Sequence, residues 1–362
     1  MRRKSHGGAR ISRSAESSQS SYDRSSEPAS RLLRILARNG KGNPLKLATL
    51  PQGRDGALIV VSDEGDRYLP ASIPTLQQAI EDWSRHEPSL RHVADRLAAG
   101  EGHPLRGQRL AAPLPRAWQW LDGSAFRSHG ELMERLFGVD PAPLDRPLMY
   151  QGMSHQFLGP NDDVPLPREE DGIDFEGEFG VIVDEVPMGV SAAQALGHIK
   201  LIVQINDWSL RRIAASEMKT GFGWVQAKPA CSMAPFAVTP DELGDSWRDG
   251  RVHLVLAVDL NGAQFGRAHG GVMAYGFHEL VAHAANTRHL CAGTIVGSGT
   301  VSNPDFDAVG ASCIAERRAI ETLNQGAPST GFLHFGDLVR MESQLSEGKP
   351  LFGPIEQKVV RA

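Results

Sequence analysis

The sequence predicts an α+β protein in which a β-rich mixed domain follows a small N-terminal α/β domain. Short apolar runs interrupted by Gly and Pro indicate short strands at 179–183, 252–260 and 333–342. Apolar residues recur with helical periodicity near 131–137, 191–199 and 276–287. Strands this short and this closely spaced are typical of a mixed, mostly antiparallel sheet.

Three parts follow one another along the chain. Residues 1–44 are rich in Ser and Arg and contain little that could pack, so we expect a disordered tail. Residues 45–107 form the small N-terminal domain, with a strand at 57–62 and helices at 75–85 and 89–98. Residues 108–362 form the main domain, which carries the candidate functional residues.

The composition excludes several classes of protein. The formal net charge of −5 over 362 residues argues against a nucleic-acid-binding surface. No stretch approaches the length of apolar sequence that a membrane span requires, so we expect no membrane partner. The three cysteines, Cys231, Cys291 and Cys313, are widely spaced and form no C-x-x-C pair, which predicts free thiols without a zinc or redox role in a reducing, cytoplasmic setting.

Two acidic segments, 174–183 and 202–211, place carboxylates in sequence that otherwise predicts buried strands. If 174–183 is a strand, Glu176 and Glu178 point to the same face, roughly 7 Å apart along it. Like charges about 4 Å apart repel by about 4 kcal/mol even at an effective dielectric constant of 20, so Asp207 could join them only if protons or a cation compensate. Such oxygen ligands suit Mg²⁺. The alternative is an acidic strand edge in solvent.

A third segment, 118–131, places Asp122 seven residues before His129. Within it, Ser128-x-x-Glu131 before an apolar run predicts a capping box that opens an amphipathic helix. His129 would then lie in the first turn, where the helix dipole disfavours the charged ring and keeps it able to accept a proton. The alternative is an exposed histidine at a helix start.

In order along the chain, these motifs resemble the fumarylacetoacetate hydrolase family. The matching series is Asp122-x6-His129, Tyr150-Gln151-Gly152, Asp174-Phe175-Glu176-x-Glu178, Asn206-Asp207-Trp208-Ser209-x-Arg211, Lys228 and Gly297-Ser298-Gly299-Thr300-Val301-Ser302. The resemblance runs from about Leu45 to the C-terminus, and the two acidic motifs followed by the Gly-Thr segment are its most specific part. It implies a β-sandwich roll for the main domain, and a homodimer formed through that domain.

The resemblance also implies roles for individual residues. Four carboxylates match the family's ligands for Mg²⁺, or Ca²⁺ in some relatives: Asp122, Glu176, Glu178 and Asp207. His129 matches the general base, and Lys228 matches a lysine that neutralises developing negative charge. Tyr150 and Arg211 match positions that bind the substrate's oxygens and carboxylate, and Thr300 matches a hydroxyl on the loop that closes over the substrate.

The implied reaction is hydrolysis of a carbon–carbon bond in fumarylacetoacetate or a related acylpyruvate or diketo acid, within aromatic amino-acid (tyrosine and homogentisate) catabolism. A carbon leaving group is poor, so the reaction needs an electron sink, which a divalent Lewis acid supplies. A nearby cation adds stabilisation where charge develops. General-base removal of a proton from water contributes on the order of 10² to 10⁴ in rate.

The chain departs from the family pattern beside the expected substrate pocket. Ala214 and Met218 stand where fumarylacetoacetate hydrolases carry Gln and Tyr, and Pro229 follows Lys228 where a small hydroxyl or Gly-rich stretch is usual. The substrate is therefore expected to be a different diketo acid. The enzymatic alternatives are a decarboxylase, a hydratase or an isomerase that uses the same metal site. The non-enzymatic alternative is a metal-binding scaffold that has lost catalysis.

Other motifs predict little chemistry. His278 and His283 lie five residues apart, so they cannot share a metal on one helix as a pair four residues apart does. No dinucleotide or P-loop motif appears. An aromatic content of 6% argues against a glycosidase, which would need sugar-stacking surfaces. Glu316-Arg317-Arg318 is predicted to be a solvated helix face.

Overall fold

The computed structural model describes residues 43–137, 146–345 and 348–362. The predicted tail, 1–44, lies outside the described residues except for its last two positions, and the domain boundary near residue 107 stays a prediction. The helices of the described residues are Leu76–Glu81 (α1), Trp83–Ala98 (α2), Arg127–Phe137 (α3), Ala192–Ala195 (α4), Arg211–Met218 (α5), Phe277–Ala284 (α6), Phe306–Val309 (α7) and Ile314–Gln325 (α8).

The strands of the described residues are short, as predicted. Those of the first half are Lys46–Leu50 (β1), Ala57–Val61 (β2), Arg67–Pro70 (β3), His103–Pro104 (β4), Trp120–Ser124 (β5), Leu148–Gly152 (β6), Val164–Leu166 (β7), Ile173–Asp174 (β8), Gly177–Val183 (β9) and Ile199–Asn206 (β10). Those of the second half are Ser209–Leu210 (β11), Ser232–Met233 (β12), Ala237–Val238 (β13), Trp247–Arg248 (β14), Arg251–Val252 (β15), Val255–Leu260 (β16), Ala263–His269 (β17), Ile295–Gly297 (β18), Leu338–Ser343 (β19) and Ile355–Arg361 (β20).

Two large sheets contain most of the described strands, and β8–β11 and β14–β15 form two-stranded sheets. The larger has the order β4-β3-β2-β1-β13-β10-β9-β18-β5-β6, with β12 also paired to β10, and the smaller has the order β17-β16-β19-β20-β7. The pairs β18–β5 and β20–β7 are parallel. The neighbours at the centre, β9–β10 and β16–β19, are antiparallel. The predicted α+β class with a mixed β-rich domain is thereby confirmed.

The strands of the predicted N-terminal domain continue the larger sheet. β1 pairs antiparallel with β2 on one side and with β13 on the other, in a register that sets Lys46 opposite Val238. The helices α1 and α2 pack apolar side chains such as Leu76, Ile80 and Leu90 into the core on this part of the sheet. None of the described helices is both long enough and apolar enough to cross a membrane.

The centre of the larger sheet places two acidic positions side by side. Every residue of β9 is buried, and its apolar side chains each contribute about 2 kcal/mol on burial, enough to hold a strand that also buries a carboxylate. The antiparallel register sets Glu178 opposite Ile205 and Gly177 opposite Asn206. Asp207, the next residue after β10, therefore comes to the same end of the strands as Glu178.

Several element boundaries differ from the predictions. The helix α3 begins at Arg127, so Ser128 lies inside it and the predicted capping box is wrong; the Ser128 hydroxyl donates instead to Ser302 Oγ, 2.8 Å away. Glu176 lies just outside β9 and forms an isolated bridge with Cys313. The predicted strand at 252–260 is broken into β15 and β16, because the chain turns between the two sheet pairings.

Candidate metal centre

Three carboxylates from three different segments meet at one point. Asp122 lies in β5, Glu178 in β9, and Asp207 directly follows β10. One oxygen of each lies within 4.8 Å of the others. The strand β18 runs between β9 and β5, and its Gly297 pairs with both Gly180 and Asp122. A β-carbon at Gly297 would collide with the Trp120 ring and with Asp122 Oδ1, so this crossing requires glycine.

The three carboxylates are buried, and one of them has no hydrogen-bond partner. Asp207 and Glu178 are 0% exposed and Asp122 is 4% exposed. Neither oxygen of Glu178 accepts a hydrogen bond from any residue that the structure describes. Burial, with the nearby Asp122 and Asp207 charges, raises the pKa of Glu178 well above its usual range. Because a buried unpaired carboxylate is costly, this donor set fits a divalent cation bound by oxygen.

Counting charges gives the same result. Five buried carboxylates surround the centre and two basic side chains lie among them: Asp122, Asp174, Glu176, Glu178 and Asp207 against Arg211 and Lys228. Arg211 pairs with Asp174 and Glu176, and Lys228 pairs with Glu176 and Asp207. The five carboxylates exceed the two basic side chains by three charges. Two of those charges belong to Asp122 and Glu178, which have no basic partner, so two protons or one divalent ion would balance this pair and leave a single negative charge.

Glu176, the fourth predicted ligand, is held by cations and hydroxyls. Its Oε1 lies 3.0 Å from Lys228 Nζ and 2.6 Å from Arg211 Nη2. Its Oε2 accepts a 2.8 Å hydrogen bond from Thr300 Oγ1, and Ser209 Oγ donates to Oε1. Burial alone would raise the pKa of Glu176, but Arg211 and Lys228 outweigh it and hold the pKa far below its usual range. Of the four predicted ligands, the structure therefore groups Asp122, Glu178 and Asp207, whereas Glu176 is paired with basic side chains.

Lys228 and Tyr150 both act on Asp207. Lys228 Nζ lies 2.6 Å from Asp207 Oδ2, and the Tyr150 hydroxyl donates to the same oxygen at 2.5 Å. Burial tends to lower the pKa of Lys228, but Asp207 and Glu176 outweigh it and raise the pKa above its usual value, so the ammonium stays charged. It also lies 5.3 Å from the centre of the Tyr150 ring.

Arg211 forms ion pairs with two carboxylates of the protein itself, Asp174 and Glu176. Its Nε donates to Asp174 Oδ2 at 2.7 Å. Asp174 also accepts the backbone N–H groups of Ile314 and Ala315 at 2.7 and 2.9 Å, where α8 begins. A carboxylate at a helix N-terminus is stabilised by the helix dipole and by those unpaired N–H groups. Arg211 could therefore reach a substrate only through N–H groups that these partners leave free.

His129 lies against a second carboxylate that the sequence did not reveal. A ring nitrogen of His129 and an oxygen of Glu316 lie within 4.8 Å of each other. The predicted solvated face at Glu316 is wrong, because Glu316 is 0% exposed and its Oε1 accepts the Ser302 hydroxyl. The signal that could have located it is its position in the first turn of α8, directly after the buried Ser312-Cys313 pair.

The protonation states of this pair follow from burial. Burial, aided by Arg211 and Lys228 and opposed by Glu176, lowers the pKa of His129 to about 4. The ring is therefore neutral near pH 7, as predicted, and burial is the largest cause. Burial raises the pKa of Glu316 to about 7 against the opposing hydrogen bond from Ser302.

Two further residues at the centre carried no signal in the sequence. The Cys231 thiol donates to Asp207 Oδ1 at 2.9 Å. The Trp224 ring packs edge-on against Tyr150, with 4.7 Å between ring centres, and lies 5.6 Å from Lys228 Nζ. Trp224 lies in a Gly-rich segment with no periodicity, so its approach depends on tertiary structure alone. Nearby on α5, Ala214 is buried and Met218 is 64% exposed.

We expect divalent-ion binding at this centre to tighten as the pH rises. Without a metal, burial and mutual repulsion raise the pKa of Asp122 and Glu178, so both hold protons that a cation must displace. Each displaced proton makes the affinity increase about tenfold per pH unit. Calorimetric titration with Mn²⁺ between about pH 6 and about pH 8, in buffers of different ionisation enthalpy, should show proton release. An affinity that does not change with pH would contradict this assignment.

Two models of known protein families match almost all of the described residues. The family model described as "Fumarylacetoacetate (FAA) hydrolase C-terminal" matches residues 119–360. The model described as "Fumarylacetoacetase N-terminal domain 2" matches residues 45–116. The first match includes every carboxylate of the centre.

Individual relatives are more distant. A 2,4-didehydro-3-deoxy-L-rhamnonate hydrolase from Sphingomonas sp. (strain SKA58) is 30% identical over 163 residues, which are 44% of this chain and 54% of that protein. The chain thus spans about half the length of the curated relatives it matches. Maleylpyruvate hydrolase from Sphingobium sp. SYK-6, solved with manganese(II) and pyruvate, superposes with a TM-score of 0.59 at 18% identity, covering 88% of this chain and 99% of that one.

A third relative carries a different activity in its name. The 5-carboxymethyl-2-hydroxymuconate delta-isomerase from Mycobacterium smegmatis superposes with a TM-score of 0.57 at 21% identity, covering 88% of this chain and 99% of that one. At these identities the two solved structures establish a shared fold.

Proposed function

The chain belongs to the fumarylacetoacetate hydrolase family, and from this premise we propose that it is a divalent-metal-dependent hydrolase of a carbon–carbon bond in an acylpyruvate or related diketo acid. The observation that carries the proposal is the pairing of an oxygen-only cation site with a neutral, half-buried histidine. The first suits a chelating dicarbonyl oxygen pair, and the second suits removal of a proton from water.

Asp122, Glu178 and Asp207 would hold the cation, and Mg²⁺ or Ca²⁺ fits their oxygen donors, as does Mn²⁺. A bound divalent ion supplies Lewis-acid polarisation of the substrate's dicarbonyl oxygens. Glu176 lies beside this trio and keeps Lys228 and Arg211 in place. We propose it as an outer carboxylate that becomes a ligand only if its cations shift.

His129 is the proposed general base. Its neutral ring accepts a proton from a water molecule, whose oxygen bonds to the acyl carbon of the substrate. A Glu316 oxygen lies within 4.8 Å of a ring nitrogen, close enough to stabilise the imidazolium that forms. Glu316 stabilises the imidazolium only as a carboxylate. With a pKa of about 7, a part of the Glu316 side chains is ionised at neutral pH.

The remaining residues act on the leaving group. As the acyl carbon gains the water oxygen, its bond to the neighbouring carbon breaks, and the bonding electron pair leaves with that carbon as an enolate. A proton then returns to the enolate carbon, giving a carboxylic acid and a ketone or 2-oxo acid. Lys228 is charged and lies 2.6 Å from Asp207, so it adds positive charge close to the developing enolate. Tyr150 and Thr300 offer hydroxyls at the same place.

The most specific version of the proposal is that the substrate is fumarylacetoacetate and that the enzyme acts in aromatic amino-acid catabolism. The buried Ala214 and exposed Met218 supply no polar contact of the kind that fumarylacetoacetate hydrolases place there. We therefore place shorter or more apolar acylpyruvates ahead of it. A cytoplasmic homodimer is proposed from the family resemblance alone.

A panel of substrates tests the proposal. Purified protein with Mg²⁺ or Mn²⁺, or with EDTA, is incubated with fumarylacetoacetate, maleylpyruvate and a series of acylpyruvates, and loss of the enol absorbance is followed. Reactions in ¹⁸O-water should place one labelled oxygen in the new carboxylate. Metal-dependent loss of absorbance with that label supports hydrolysis.

Isomerisation is the second candidate, supported by the fold shared with a named isomerase. It predicts a change in absorbance with no change in substrate mass and no solvent oxygen incorporated, whereas decarboxylation would release carbon dioxide. If no member of the panel reacts while Mn²⁺ binds stoichiometrically, the metal-binding scaffold replaces both enzymatic proposals.

A further inference from the structure

A second set of donor atoms lies on the Glu316 side of His129. One donor atom each from His129, Cys313 and Glu316 lies within 4.8 Å of the others. His129 comes from the first turn of α3, Cys313 directly precedes α8, and Glu316 lies in the first turn of α8. The three therefore come together through the packing of two helix N-terminal ends, separately from the strands that carry the oxygen cluster.

Two of these side chains present polar atoms without a partner. His129 Nδ1 and Glu316 Oε2 are buried, and neither has a hydrogen-bond partner among the residues that the structure describes. Glu316 Oε1, in contrast, already accepts the Ser302 hydroxyl. Buried polar atoms without a partner are rare and cost about 1–3 kcal/mol each. An ion bound through Nδ1 and Oε2 would satisfy both at once.

The donor types select the ion. An imidazole nitrogen, a thiol sulfur and a carboxylate oxygen form a borderline-soft set that suits Zn²⁺ and disfavours Mg²⁺ or Ca²⁺. Tetrahedral Zn²⁺, with bonds of about 2.0–2.3 Å, places neighbouring ligand atoms roughly 3.5 Å apart. Because the donor atoms lie within 4.8 Å of one another, each pair would have to approach by at most about 1.3 Å, through small rotations of all three side chains. A water molecule could supply the fourth ligand.

We propose that His129, Cys313 and Glu316 form an inhibitory Zn²⁺ site, separate from the oxygen-ligand site for the activating cation. Binding replaces the Cys313 S–H bond with a Zn–S bond and releases that proton to solvent, with no oxidation or reduction. Zn²⁺ would occupy a nitrogen of His129, the proposed general base, and would thereby inhibit the enzyme. This inhibition rests on the proposed function, whereas Zn²⁺ binding does not. The prediction that no cysteine has a zinc role, drawn from the lack of a C-x-x-C pair, would then be wrong at Cys313.

Zinc stoichiometry and a cobalt spectrum test the site without reference to activity. The protein is loaded with excess Mg²⁺ and dialysed against Zn²⁺, and bound zinc is measured for the wild type, Cys313→Ser and Cys291→Ser. Cys291 is a half-buried free cysteine elsewhere in the chain and is the matched control. We expect one zinc in the wild type and in Cys291→Ser, with at least tenfold weaker binding in Cys313→Ser. Co²⁺ should give a thiolate charge-transfer band in the near ultraviolet that only Cys313→Ser lacks.

The Cys313→Ser variant should fold normally. Cys313 Sγ accepts the Glu316 backbone N–H at 3.3 Å as the N-cap of α8, and a serine hydroxyl performs this role at least as well. Circular dichroism and the melting temperature check this. Equal zinc stoichiometry and an unchanged cobalt band in Cys313→Ser would overturn the proposal.

Inhibition is measured separately on whichever substrate the panel identifies. With Mg²⁺ in excess, each variant is compared with its own zinc-free rate. Cys313→Ser should require at least tenfold more Zn²⁺ for half-inhibition than the wild type or Cys291→Ser. Equal sensitivity would overturn the inhibitory role. If no substrate reacts, the proposed function fails, but the stoichiometry and the cobalt band still decide whether the site exists.

Discussion

Replacing His129 by Ala is expected to reduce kcat by about 10² to 10⁴ while Mn²⁺ affinity stays within about threefold of wild type. The ring is neutral because burial lowers its pKa to about 4, so at neutral pH it is ready to accept a proton. It is not among the three oxygen ligands, so its loss leaves the proposed cation site intact. Single-turnover kinetics and calorimetric Mn²⁺ titration measure the two quantities.

His155→Ala is the matched control, because His155 is an exposed histidine outside both donor clusters. It should leave kcat and metal affinity unchanged. Turnover retained in His129→Ala would contradict the role as base and would favour isomerisation, which does not need an activated water. A parallel loss of Mn²⁺ affinity would mean that the ring supports the metal site, contrary to the separation of the two clusters.

The position of a site residue can be predicted from the sequence when the residues that surround it in the fold are also close to it in the chain. The motif at 174–178 and the motif at 206–211 could each be placed beside a buried strand, because each is followed or preceded by an apolar run of strand length. Both β9 and β10 are such strands, but their antiparallel pairing is visible only in the structure. That Asp122 joins them could be inferred only by resemblance, since β5 reaches the site through β18, a strand more than 170 residues later in the chain.

Glu316 shows where local reasoning fails. Two arginines follow it, and that charge pattern is typical of a solvated helix face. The first turn of α8 instead points into the molecule, because Asp174 accepts the N–H groups of Ile314 and Ala315 and holds the helix end against the strands. A residue 140 positions upstream thus determines the environment of Glu316. Nothing in the local sequence encodes that contact.

The second large effect separates Glu178 from Glu176, two carboxylates on one segment. Replacing Glu178 by Gln should weaken Mn²⁺ binding at least 100-fold and abolish metal-dependent turnover, because it removes a ligand whose oxygens have no other partner. The same change should stabilise the metal-free protein. The new amide can donate to Asp122 or Asp207, and because it cannot ionise, the like-charge repulsion that begins when Glu178 loses its proton is absent.

The pH dependence of this stabilisation has a definite sign. Burial, with Asp122 and Asp207, raises the folded-state pKa of Glu178 above its reference value of 4.5. The folded protein therefore holds more protons than the unfolded chain, and its stability falls as the pH rises from about 4.5 through the raised pKa. In EDTA, the melting temperature of the wild type should fall with increasing pH more steeply than that of Glu178→Gln. A variant that melts lower than wild type at every pH would contradict this expectation.

Glu176→Gln should behave in the opposite way, although the substitution is chemically identical and only two residues away. Its carboxylate compensates the buried Lys228 and the half-buried Arg211, so the change leaves both cations short of a partner and should cost about 3 kcal/mol at neutral pH. Because the folded-state pKa of Glu176 is lowered, its contribution is present above the unfolded pKa and is lost only in strong acid. Thermal unfolding of both variants in EDTA measures the contrast. Opposite shifts in melting temperature would support different roles, in which Glu178 binds the metal and Glu176 compensates Lys228 and Arg211. Equal shifts would mean that the two carboxylates have the same role.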